Sequence, residues 1–330
     1  MHLKSILYLT TQVGLYLAMM SDYFSIPAYI LLFVAFGIST GLMNFNICHD
    51  ALHNAYSSNP TVNRFLGYLY DLNGTSSHIW KISHNTIHHT FTNIPGHDGD
   101  IDKAIILRLN PKDKLYPFHY YQNIYAFILY GLVAANWIIY ADYALYFKEM
   151  KKGKVKLKDT LLFFSFKALN IFLLIILPIL WLHYPFWIIL LAYFCALMAT
   201  GFSISLIFQL AHIVQNVNYV EPDETGVIHH NWAAHELMTT SNFATHNWIL
   251  TQLVGGLNFQ VEHHLFPSIC HIHYPHIQHI VKETAQEFNL PYHENPTFFK
   301  AIASHYRMLK QLGREESSQY LIKDANAIAK

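Results

Sequence analysis

Five stretches of this 330-residue chain are apolar for about twenty residues at a time. They limit the fold more than any other feature, because a helix rising about 1.5 Å per residue needs that length to cross a hydrocarbon core of about 30 Å. The stretches run from Ser5 to Met20, Ile26 to Asn46, Tyr116 to Ala141, Leu161 to Leu182 and Phe186 to Leu210. Composition agrees: 53% of the residues are hydrophobic and 13% charged, with a mean hydropathy of +0.20, values that belong to a membrane protein. Acidic and basic residues balance at 21 each, so no charge excess favours a nucleic-acid partner. No small-x-small cleavage pattern follows the first stretch, which reads as a retained span rather than a signal peptide.

The turn SDYFS joins the first two stretches and HYP the last two, so each pair is expected to form a helical hairpin. The six lysines of KEMKKGKVKLK, Lys148 to Lys158, place that loop in the cytoplasm by the positive-inside tendency, and Lys4 agrees. A middle stretch that crossed once would put the histidines before residue 90 on the other side of the membrane from this loop. Its tyrosines at 116, 120, 121, 125, 130 and 140, with Trp137, suit the headgroup region, so it is expected to lie at the interface. The expected architecture is all-α, with four transmembrane helices in two hairpins (about 5–20, 26–46, 161–182 and 186–210), interfacial helices and a cytoplasmic cap drawn from 47–160 and 211–330. No repeat or Gly/Ser linker interrupts the chain, and 1–330 reads as one domain. Helical apolar spacing at Ile277 to Phe288 and Phe298 to Leu312 puts two helices in the cap.

The 23 histidines are the compositional outlier, since so apolar a chain has little use for them unless several hold metal or protons. After the second span, CHDALH sets His49 and His53 at i, i+4, on one face of a helix. HNTIHH repeats that spacing with His84 and His88 and adds His89, which an α-helix turns about 100° away from its neighbour. QVEHH places Gln260 three and four residues before His263 and His264, and His212 directly follows the last span. Eight imidazoles thus come from four places, and imidazole suits iron, copper, zinc and nickel alike. Asp50, Asn85 and Glu262 stand beside these histidines and are candidates to accept the second ring N–H of a ligand. His78 and His97 read as structural, and His229, His230, His235, His246, His271, His273, His276 and His279, which lack the spacing, as capping, packing or donor-docking residues. The acidic HDGDID reads as a solvated loop. Cys48, Cys195 and Cys270 form no CxxC and read as passive thiols.

These motifs resemble those of the membrane fatty acid desaturase family, whose mark is three histidine boxes on the cytoplasmic face of a four-span protein. GGLNFQVEHHLFP, residues 255 to 267, looks like the third box of the front-end, linoleoyl-CoA-like branch, in which glutamine replaces the first histidine; HDALH and HNTIHH are similar to the first two boxes. His212 falls where the family has a ligand after its fourth span. The resemblance implies two iron ions (Fe2+/Fe3+) held by His49, His53, His84, His88, His89, His212, His263 and His264, with Gln260 beside them. It also implies a fatty acyl-CoA or acyl-lipid substrate and dioxygen. Since no HPGG haem motif occurs, electrons are expected from a separate donor such as a cytochrome b5, a ferredoxin or a similar carrier. The chain is expected to sit among membrane lipid as an integral multi-pass protein, in a bacterial inner membrane or the endoplasmic reticulum.

An unactivated methylene has no acidic proton and no leaving group, so acid-base or serine-type catalysis has nothing to act on and an oxidising metal is required. Selectivity among near-identical carbons then comes from where the chain is pinned, for which a bent apolar tunnel is expected, with Trp80, Trp137 and Trp248 as candidate lining. An acyl hydroxylase or acetylenase on the same site is the nearest rival. A histidine-rich metal transporter is a rival of another class, but its histidines would line the spans rather than follow them. A zinc protease is disfavoured by the absence of HExxH.

Overall fold

The computed structural model describes residues 1–102, 105–314 and 321–322. It is built of helices, as expected; among the described residues the strands are two short parallel pairs, Tyr219–Val220 with Leu321–Ile322 and Ser241–Phe243 with His293–Asn295. Four helices are long and apolar enough to cross a membrane: Ile26–Leu52, Pro117–Lys151, Leu157–Trp181 and Phe186–His212. Three coincide with expected spans. The fourth differs, because the stretch expected at the interface winds into one continuous 35-residue helix, whose outer face carries the exposed Tyr121, Ile124, Ile128, Ile139 and Tyr140. The first helix, His2–Met19, is 18 residues long and does not join that set.

The chain divides into two compact units, each assembled from separated stretches: Met1–Lys81 with Ile128–Ser205, and Ile82–Phe127 with Leu206–Lys330. In the first unit Tyr29, Phe33 and Phe36 pack with Leu174, Ile188, Ile189 and Ala192. Helix backbones approach closely through small residues, the usual way helices associate where lipid supplies no hydrophobic drive. A Cβ on Gly37 would stand 2.2 Å from the Ala196 carbonyl oxygen. Buried among these helices, Lys167 Nζ donates to Asp142 Oδ2 at 2.7 Å and to the Gly74 carbonyl at 2.6 Å, pinning the turn that leads into the second histidine box.

The second unit contains both cap helices expected from the sequence, as Tyr274–Glu287 and Phe298–Leu312. Arg108 is buried where the latter ends, its guanidinium donating to the carbonyls of Leu312, Pro111 and Asp113. The bond to Leu312 satisfies one orphan acceptor of a helix C-terminus and sets a positive charge against its dipole.

Candidate metal centre

The first box lies in the first unit. The Ile26–Leu52 helix passes through a π turn at Asn44–Cys48 before reaching His49. His49 and His53 are both buried, their ring centroids are 4.7 Å apart, and Trp80 sets its edge against each, at 5.6 and 5.4 Å. Phe36, Thr40 and Asn44 of the same helix line a narrow cavity with Trp137, Leu174 and Ala196. Trp137 therefore lines a cavity as expected and Trp80 packs on the histidine pair. Trp248 is 71% exposed.

The second box corrects the expectation of a plain α-helix. Residues Lys81–His88 form a π-helix, in which the i, i+5 relation replaces i, i+4. His84 consequently lies as close to His89 (centroids 4.8 Å) as to His88 (5.2 Å). All three meet the third box, on the short helix Gln260–Leu265. His89 stands 4.8 Å from His263 and 4.4 Å from His264, and His88 5.0 Å from His264. His212, ending its long helix, stands 4.8 Å from both His88 and His264. Two sets of ligand atoms result, His88, His212 and His264, and His89, His263 and His264, each within 4.8 Å of one another. The second unit thus brings together His84, His88, His89, His212, His263 and His264, while His49 and His53 form a pair within the first.

Four of these rings are held by Nδ1, which turns Nε2 toward its neighbours. His88 Nδ1 stands 3.2 Å from both oxygens of Asp98, His264 Nδ1 2.8 Å from Glu236 Oε2, His263 Nδ1 3.2 Å from the Tyr274 hydroxyl and His212 Nδ1 3.4 Å from the Thr239 carbonyl. Holding one ring nitrogen so that the other presents a lone pair is what a metal-ligating histidine requires. Asp98 belongs to HDGDID, which the sequence presented as solvated; it is fully buried, with the Asn93 N–H donating to it at 3.0 Å. Glu262 holds no ligand candidate and accepts instead from Asn242 and Tyr292.

The residues fit a cation. Among the described residues nothing hydrogen-bonds His88 Nε2, His212 Nε2 or either amide atom of Gln260, although all are buried; leaving such groups bare costs about 1–3 kcal/mol each. Burial pushes the Glu236 carboxyl up to about 8, and a metal charge nearby would return it to the ionised form that holds His264. Burial acts to lower the pKa of His88, but Asp98, Asp100 and Glu236 outweigh it and raise it to about 9. Neutral imidazoles without thiolates suit iron, copper, zinc or nickel.

Outside these sets, His235 is buried with Nε2 on the Thr92 carbonyl at 2.7 Å, and exposed His97 packs on Phe91 at 5.4 Å. His78 is partly buried on the helix entering the second box. His229, His246, His273, His276 and His279 are exposed and join no set. The sequence missed Asp98, Glu236, Thr239 and Tyr274, all distant in the chain from the rings they hold except Asp98, whose acidic surroundings disguised it.

A model of the fatty acid desaturase family matches residues 24–296. The chain belongs to that family. It is 38% identical over 302 residues to an sn-1 linoleoyl-lipid 6-desaturase of Synechocystis sp., covering 87% of this chain and 81% of the relative. Identity to the sn-1 linoleoyl-lipid 6-desaturase of Arthrospira platensis is 35%, over 84% of this chain and 76% of that one. An acyl-lipid (8-3)-desaturase of Physcomitrium patens is 35% identical over 85% of this chain and 59% of its own length. Family and relatives make this a front-end fatty acyl desaturase, an oxygen-dependent oxidoreductase. With its four long apolar helices it is a membrane protein, and its histidine sets could hold a metal ion.

Proposed function

We propose that this chain inserts a cis double bond near the carboxyl end of a polyunsaturated acyl chain carried on a membrane lipid. The metal is two irons, held by His49, His53, His84, His88, His89, His212, His263 and His264, with Gln260 alongside. The observation that carries this reading is the convergence of His88, His212 and His264, each held at Nδ1 by an oxygen. The same spacing logic in the first box adds His49 and His53. The acyl-lipid carrier is favoured over coenzyme A by the names of the relatives, two of which are linoleoyl-lipid 6-desaturases.

Iron would supply the oxidising power to break unactivated C–H bonds with dioxygen. The chain's own contribution is to aim these rings, to exclude water, and to pin one methylene pair. The cavity of Phe36, Thr40, Asn44, Trp137 and Ala196 suits part of an acyl chain, being apolar with a few polar groups. The spans are 5–20, 26–46, 161–182 and 186–210, with the boxes facing the cytoplasm beside the lysine loop, and a separate carrier delivers the electrons.

The test pairs two measurements. Protein grown on iron-57 and purified in detergent should hold about two spin-coupled irons per chain by Mössbauer spectroscopy, lost in His89→Ala and His263→Ala. Cells expressing the chain and fed linoleate should accumulate lipid-bound product with one more double bond at carbon 6, without oxygen-18 incorporation. Stoichiometric zinc, or a hydroxylated product, would sink the reading.

A further inference from the structure

The histidine sets are buried, yet a desaturase takes its electrons from another protein, so the second unit needs a route from surface to ligands. Trp232 supplies one. It is the first residue of the helix Trp232–Thr239 and 44% exposed, whereas a tryptophan used only for packing buries its ring. Its Nε1 donates a 2.9 Å hydrogen bond to the main-chain carbonyl of His89. One turn along the same helix stands Glu236, whose Oε2 holds His264 Nδ1 at 2.8 Å. One indole is thus partly exposed and bonded to the backbone of one cluster histidine, on the helix whose Glu236 holds a second. Electrons tunnel through covalent and hydrogen bonds with far less loss than across gaps, and among the side chains indole offers the largest π system to receive them.

We propose that Trp232 is the point of electron entry: a reduced one-electron carrier protein meets its exposed part, and charge passes through the indole to His89. This rests on the reading of the chain as a metal-dependent desaturase. For each double bond, two carriers are each oxidised by one electron and the acyl –CH2–CH2– loses two hydrogens. Dioxygen, taking up those hydrogens with the two electrons and two protons, becomes two waters. Trp232 touches neither substrate nor reacting atoms and is unchanged at the end, so it is a positioning residue for charge.

The experiment mixes metal-loaded protein in detergent, without oxygen, with a reduced cytochrome b5 haem domain or a reduced plant-type ferredoxin, and follows donor oxidation by the donor's own absorbance. Dithionite, which needs no docking, is run in parallel, and metal per chain is measured. Trp232→Phe keeps a ring and loses the N–H; Trp232→Leu loses both. The expected result is unchanged metal content and dithionite rate, with donor oxidation slowed about tenfold or more in Trp232→Leu and less in Trp232→Phe. Unchanged donor rates would overturn the proposal. So would donor and dithionite rates that fall together with metal content, because Trp232 would then only hold His89 in place. A wild-type chain without reducible metal would defeat the parent reading, and that is seen before any variant is made.

Discussion

A histidine ligates well only when its second ring nitrogen is held, and at His88 that task falls to Asp98. Asp98→Asn keeps the shape but offers one acceptor oxygen in place of two. It is expected to weaken metal retention about 10- to 100-fold, measured as metal per chain after dialysis against a chelator, with the helical circular dichroism unchanged. Retention equal to wild type would show that Asp98 serves only the loop around Asn93. The histidines were legible in the sequence because spacing on a helix is a local property. Asp98 was not, because HDGDID has the composition of a surface loop, and nothing local shows that Asn93 and His88 draw its carboxylate inward. Glu236 and Tyr274 were hidden for a different reason, lying 28 and 11 residues from the rings they hold.

At the scale of elements, the π turns set the register of the boxes. Between Asn44, which lines the cavity, and His49 the step is five residues rather than four, and the π turn at Asn44–Cys48 absorbs the extra one. Inserting one alanine after Ile47 would add a residue that the turn does not absorb and swing His49 and His53 by about 100° against the rest of the helix. The expected outcome is a chain that still enters the membrane but retains less metal and makes no desaturated lipid. An insertion variant with normal product would remove any registering role from the turn. No residue type announces a π turn, so an α-helix is what the sequence predicts. The Pro117–Lys151 helix is ambiguous for a different reason: its tyrosines suit an interface, while its length and hydropathy also suffice for a span.

For the whole molecule, acid should be the weak point. Burial pushes His235, His293 and His305 down from 6.5 to about 4, so the unfolded chain takes up protons at a pH where the folded one does not. Stability is therefore fully present above pH 6.5 and is lost as the pH falls toward 4, levelling off below that. Thermal unfolding in detergent is expected to move to lower temperature steadily from pH 7.5 to 5; a flat profile would mean that these rings are neutral in both states. Sidedness has its own check. If the Lys148–Lys158 loop faces the cytoplasm, trypsin added to inverted vesicles should cut there and trypsin outside intact cells should not.

The interleaving of the two units also orders events at the ribosome. Once residue 205 has been made, the first unit has all of its chain, while the second still lacks His212, His263 and His264. Membrane insertion must therefore run ahead of metal acquisition, and the half-made protein carries His84, His88 and His89 before the partners that shield them exist. A chain stopped after Leu253 is expected to resist carbonate extraction yet hold almost no metal. In that respect the last third of the polypeptide acts as a timer, keeping an oxidising centre from forming until the protein around it is finished.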